Sequence, residues 1–207
     1  MVGIVHKVFL AGEGNTGKTE IFKRFTGYSF GPGPTRAFNL AQRNIEDLDL
    51  SIQLIDLSGK KVYADFREAI FRNVIAGILV FDLSDKVTMF LLQDWLRDIQ
   101  SAQSKVNSFD NQPLLFVVGN KMDLREEGKS CLSTEEVQTF IERLKAKFKC
   151  DMKYLEVSAK NHIGITELIR KIAEEIKLST TSEKTEGDDK EEETTSPEST
   201  DRTGSNE

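Results

Sequence analysis

The stretch Gly12-Glu13-Gly14-Asn15-Thr16-Gly17-Lys18-Thr19 constrains this chain more than any other, because it meets the spacing G-x-x-x-x-G-K-[ST] in full. Its glycines let a loop fold tightly enough for successive backbone N–H groups to face one point, and a helix that follows adds its positive dipole end. Lys18 supplies a point charge and Thr19 a hydroxyl for magnesium. Such a cradle takes the phosphates of a nucleoside diphosphate or triphosphate. The setting agrees: Ile4 to Ala11 reads as a buried strand and Glu20 to Phe25 as a helix, the strand, loop, helix order that the motif requires.

A phosphate loop does not choose a base. Asn120-Lys121-Met122-Asp123 follows the short apolar run Leu114 to Gly119 and so falls at the carboxyl end of an expected strand, where open α/β sheets bind ligands. A carboxylate there can accept both the ring N–H and the exocyclic amino group of guanine, a pair of donors that adenine does not offer. Asp56-Leu57-Ser58-Gly59 lies between the two motifs at the end of a strand-like run, and Ser158-Ala159-Lys160 follows another. Four elements thus stand in one sequence order.

With these four motifs on the page, the chain resembles the small GTPases of the Ras superfamily from residue 4 to about 178. The segment Gly77-Ile78-Leu79-Val80-Phe81-Asp82, with Trp95-Leu96, looks most like the Rab branch. The resemblance implies a P-loop NTPase fold that holds GTP or GDP with magnesium. By it, Gly14, Asn15, Gly17, Lys18 and Thr19 hold the phosphates; Lys18 also serves catalysis. Thr19, Thr35 and Asp56 form the magnesium site, and the Gly59 amide touches the γ-phosphate. Phe30 covers the guanine, Asn120, Lys121 and Asp123 read it with the backbone of Ser158 and Ala159, and Lys160 packs against it. Protein effectors and regulators are the implied partners, through the two switch regions.

Two departures qualify that pattern. Lys60 stands where the family usually places the glutamine that orients the attacking water, and an ammonium cannot accept a hydrogen bond from water. Slow hydrolysis is the expectation, the alternative being a solvated loop lysine with water oriented by another group. Gly31-Pro32-Gly33-Pro34 shortens and stiffens the first switch, since proline fixes φ and removes a donor. Thr35 is the metal ligand this puts most in doubt. Glu13 brings a carboxylate into the phosphate loop, and its side chain is expected to face away from the phosphates.

Strand-like runs near 4–10, 36–44, 48–56, 77–83, 113–119 and 152–157 alternate with helical ones near 18–26, 62–75, 87–106, 134–149 and 165–178. This predicts an α/β fold, a six-stranded, mainly parallel sheet with helices on both faces. The runs 39–46 and 48–56 are expected to form its single antiparallel pair. Val137, Phe140, Ile141, Leu144 and Phe148 share one helical face, as do Ile165, Leu168, Ile169, Ile172 and Ile176; both read as core.

One domain over 1–178 and an acidic, Ser/Thr-rich disordered tail over 179–207 are expected. The tail carries ten acidic and three basic residues, so the net charge of −6 belongs to it and the body is nearly neutral. Neither half makes an electrostatic case for nucleic acid or for anionic membrane. No terminal cysteine or N-terminal glycine pattern offers a direct lipid anchor, and no run of 18 apolar residues is present. A cytoplasmic monomer, brought to a membrane only by a partner, is the expectation. Cys131 and Cys150 read as reduced thiols, and His6 and His162 are too few for a zinc site or a histidine-based triad.

Three readings stay open on the sequence: a guanine-nucleotide switch that hydrolyses GTP slowly, a nucleotide-bound pseudo-GTPase scaffold that does not hydrolyse it, and an adenine-specific phosphotransferase. The Asn120 to Asp123 motif speaks against the last. A partner surface is expected on the second switch, around Tyr63, Phe66, Ile70 and Phe71.

Overall fold

Apolar residues run unbroken through Val8-Phe9-Leu10-Ala11 and through Ala76 to Phe81, and each is buried, as strands covered on both faces must be. The computed structural model describes residues 4–27, 35, 37–72, 74–105 and 112–188. Within them, six strands form one sheet: β1 (Val5–Ala11), β2 (Phe38–Ile45), β3 (Leu50–Leu57), β4 (Ala76–Asp82), β5 (Leu114–Asn120) and β6 (Met152–Glu156), in the order β2-β3-β1-β4-β5-β6. Only the β2/β3 pair is antiparallel. The predicted α/β sheet is therefore present, with strand ends within about two residues of those expected, the usual scatter of such boundaries.

The helices are α1 (Lys18–Thr26), α2 (Ala64–Phe71), α3 (Lys86–Phe90), α4 (Leu92–Ser104), α5 (Asp123–Glu126), α6 (Thr134–Phe148) and α7 (Ile165–Asp188). Phe22 and Phe25 of α1 pack with Leu168, Ile172 and Ile176 of α7 on one face of the sheet. Phe71, Trp95, Leu96, Val137 and Leu144 of α2, α4 and α6 cover the other. Both stripes expected on α6 and α7 are core. Ser133 caps α6 in a capping box with Glu136, each side chain bonded to the other's backbone N–H.

Three helical spans differ from expectation. The segment expected over 62–75 is a 3-10 turn at Lys61–Tyr63 followed by the shorter α2. The one expected over 87–106 breaks at Leu91 into α3 and α4. The last helix continues from 178 to Asp188, and within it the Ser179, Thr180 and Thr181 hydroxyls bond back to the Ile176 and Lys177 carbonyls. Residues 189–207 of the expected tail lie outside the described residues.

Because the loops that follow β1, β3 and β5 share the carboxyl edge of the sheet, core packing fixes where they meet. Gly77 on β4 shows how tightly: a Cβ there would stand 2.0 Å from Cζ of Phe9. That ring sits edge-on to Phe71 with centroids 4.8 Å apart, so it has no free side to yield into. Gly77→Ala is expected to cost about 2 kcal/mol of stability through overpacking. Urea unfolding followed by circular dichroism checks this, and an unchanged midpoint would contradict it.

Candidate functional site

The loop between β1 and α1 takes its shape from positive φ angles and close approaches. Gly12 has φ 139, and a Cβ on it would lie 2.1 Å from the Val80 carbonyl oxygen, so only glycine fits. Gly17, at φ 89, meets the side chain of Asn120 in the same way, at 2.2 Å. At the other end of the loop, Gly59 sits against Gly12 and Gly14, with 2.9 Å from its would-be Cβ to the Gly12 carbonyl. The loop therefore has a polarity: its Gly17 end abuts the Asn120 segment and its Gly14 end abuts the residues after β3.

A cavity of about 820 Å³ opens over this loop, lined by Gly14, Asn15, Gly17, Lys18, Thr19, Thr35, Ser58, Gly59, Lys60 and Lys121 among others. Lys18 is buried, and its ammonium donates to the Glu13 carbonyl at 2.5 Å. Burial pushes its pKa down to about 8, against the attraction of the Asp56 and Glu13 charges. The Glu13 carboxylate faces away from the cradle, accepting from Trp95 Nε1 of α4 at 3.2 Å.

Thr19, Thr35 and Asp56 meet at one point. Asp56 Oδ2 accepts from Thr19 Oγ1 at 2.9 Å and Thr35 Oγ1 at 3.1 Å, and the two hydroxyls are 3.0 Å apart. A further donor is Asn39 Nδ2, at 3.0 Å, which sequence reasoning missed. Asn39 pairs with Asp56 in the β2/β3 register, so the antiparallel pairing itself held the signal. Burial raises the Asp56 pKa, opposed by these hydrogen bonds and by Lys18. Asp56 Oδ1 is buried and has no hydrogen-bond partner among the described residues. Two hydroxyls and one carboxylate, whose Oδ1 is the orphaned oxygen, are hard donors that fit a magnesium ion.

At the base end, Asn120 joins loops rather than pointing into open space. Its Nδ2 donates to the Thr16 carbonyl at 2.8 Å and its Oδ1 accepts from the Ala159 amide at 3.1 Å. Asp123 is buried at the start of α5, with Oδ1 accepting from Ser158 Oγ at 2.5 Å. Lys160 lies over it, 3.6 Å from Oδ2, and bonds Glu127 at 2.7 Å, which raises its pKa. Lys121 pairs with Asp82 at 2.6 Å. Glu127 was absent from the sequence reading, which quoted Asp82 only as the end of the Gly77 to Asp82 segment and not as the partner of Lys121. Phe30 and the segment 31–34 lie outside the described residues.

Beyond the cavity, Phe71 is core, 1 % exposed, and cannot serve the partner surface expected of it. The exposed apolar residues at this edge are Phe38, Leu40, Val62 and Phe66, with the Phe38 and Phe66 rings stacked at 5.1 Å. Cys131 and Cys150 are free and half-buried. Among the described residues no cluster of three His, Cys, Asp or Glu side chains forms a second cation site, and no helix is long and apolar enough to cross a membrane.

Residues 7–178 match the model of the Ras family. The chain is similar to the Ras-related protein RabC of Dictyostelium discoideum, 28% identical over 180 residues that cover 84% of each chain. It is also similar to the Ypt/Rab-type GTPase Rab7 of Neurospora crassa, 28% identical over 189 residues, 89% of this chain and 88% of that one. Ras-related protein Rab-30 of Homo sapiens is 29% identical over 171 residues, 81% of this chain and 77% of its own.

The lowered pKa of Lys18 has a sign that can be tested. Only the ammonium pairs with phosphate, so in nucleotide-free protein the affinity for diphosphate is expected to fall about tenfold between pH 7 and 9, with proton uptake on binding. Unfolded lysine keeps its ordinary value of 10.5, so between about 8 and 10.5 the unfolded chain binds more protons. The nucleotide-free fold should gain stability with pH across that window. Calorimetric titration with GDP in two buffers of different ionisation enthalpy measures both affinity and uptake; pH-independent binding would contradict the assignment.

Proposed function

Because the chain belongs to the Ras family and to its Rab branch, we propose that it is a guanine-nucleotide switch that binds GTP and GDP with magnesium and hydrolyses GTP slowly. The observation that carries this reading is one cavity lined by buried Lys18, Thr19, Thr35 and Lys121, with the buried Asp56 carboxylate bonded to both threonine hydroxyls and the buried Asp123 carboxylate two residues beyond Lys121.

Each residue has a task that its chemistry suits. The loop amides and Lys18 hold the phosphates, and Asp123 accepts the paired donors of guanine while Lys160 covers the base. Thr19, Thr35 and Asp56 hold magnesium, which when bound neutralises charge on the outer phosphates. Thr35 reaches that point only when the first switch is closed, so its hydroxyl links the third phosphate to the shape of the partner surface at Phe38, Leu40, Val62 and Phe66. Vesicle traffic or signalling is the process we infer from the Rab relatives. The protein acts as a cytoplasmic monomer.

Lys60 sets the rate. It lines the cavity beside Gly59 and offers no acceptor for water. The same observation favours a second reading, a scaffold that holds nucleotide without turning it over. Single-turnover hydrolysis of GTP with magnesium separates the two. Slow conversion that accelerates at least about tenfold in Lys60→Gln is the expected outcome, since orienting a nucleophile is worth that much or more. GTP that persists in both proteins would contradict the switch and support the scaffold.

A further inference from the structure

Arg67 of α2 is 5 % exposed, and its one ion pair among the described residues is a long one, to the half-exposed Asp98 at 3.7 Å from Nη2. Its Nη1 donates instead to two backbone carbonyls, Lys60 at 2.8 Å and Ser58 at 3.3 Å, the groups on either side of Gly59. Its guanidinium lies over the Trp95 ring at 4.5 Å, and its buried Nε has no partner among the described residues. A cation taken out of water at this cost must be held for its contacts. Those contacts staple one short segment, Ser58 to Lys60, onto α4.

That segment is the wall of the cavity at the Gly14 end. Gly59 packs directly on the backbone of Gly12 and Gly14, and the Ser58 amide donates to the Ala37 carbonyl at 3.0 Å, beside the first switch. Trp95 closes the circuit, since its Nε1 bonds the Glu13 carboxylate of the phosphate loop. The base is read at the opposite, Gly17 end, so the phosphates run from Gly17 towards Gly14 and the outermost one faces Gly59.

We propose that Arg67 is a positioning residue that preforms the seat of the third phosphate, by fixing the carbonyls around Gly59 against α4 through the Trp95 ring. This rests on the GTP reading above. It makes Arg67 a determinant of GTP over GDP, because GDP does not reach the wall that Arg67 holds. A residue that merely stabilised the fold would affect both nucleotides alike.

The test compares wild type, Arg67→Ala and Arg67→Lys for affinity towards GDP and a slowly hydrolysed GTP analogue, with magnesium, following the emission of Trp95, the one tryptophan in the chain. In Arg67→Ala the triphosphate should bind about tenfold more weakly, the scale of one hydrogen bond to a charged group, while GDP changes less than about twofold. The Trp95 emission should shift on losing the guanidinium. Arg67→Lys keeps the charge but has no fork to span two carbonyls, so it should fall between the two and serves if the alanine variant does not fold. Equal losses for both nucleotides, or none, would overturn the proposal. Wild type that binds neither nucleotide would overturn the GTP reading and this inference with it.

Discussion

A buried ammonium held by a single carbonyl oxygen is the constraint around which the molecule is arranged. Lys18 makes no ion pair among the described residues, and burial, opposed by the Asp56 and Glu13 charges, brings its pKa down to about 8. A protein keeps a desolvated cation in such a place when something else supplies the negative charge. Everything near it narrows what that can be. Gly12 and Gly17 let the loop close to van der Waals limits against β4 and Asn120, leaving backbone amides and one helix end to face an anion.

The second feature is how few atoms connect the nucleotide-facing parts. Asp56 Oδ2 gathers Thr19 from the phosphate loop's helix, Thr35 from the first switch and Asn39 from β2. Ser58 joins the second switch to the first by a backbone bond to Ala37. Asn120 bolts the phosphate loop to the Ser158-Ala159 segment. A change at the outer phosphate is thereby next to both switches, and a bistable loop needs no more than that to report it. Lys60 lines the cavity beside Gly59, the place where, on the switch reading proposed above, an acceptor would speed the reset.

The strands and the motifs were legible in the sequence because both depend on local pattern. Unbroken apolar runs announced β1, β4 and β5; spacing located Lys18 and Thr19, the place of Asp123 after an apolar run suggested its task, and the family resemblance supplied that of Asp56. What escaped were polar side chains whose role depends on a partner far along the chain. Arg67 looks like any solvated helix residue until α4 places Trp95 beneath it. Asn39 looks like an edge-strand polar residue until the β2/β3 register sets it opposite Asp56. Helix periodicity also overstated continuity: nothing in the apolar spacing between 87 and 106 marked the break at Leu91, where Asp85 caps a short first turn. The last helix outran its apolar stripe, with the hydroxyls at 179–181 bonded back to the preceding turn, where a helix interior accommodates Ser and Thr without their stabilising it.

The proposed switch depends on the buried Asp123 carboxylate choosing guanine, beside a cavity whose buried Lys18 calls for phosphate. Calorimetric titration of nucleotide-free protein with GDP and with ADP, both with magnesium at pH 7, addresses that claim directly. A site built to hydrogen-bond one base rejects another by about 10⁴-fold. Tight, stoichiometric binding of GDP with ADP weaker by about that factor is the predicted result; equal affinity for the two, or no heat with either, would contradict it.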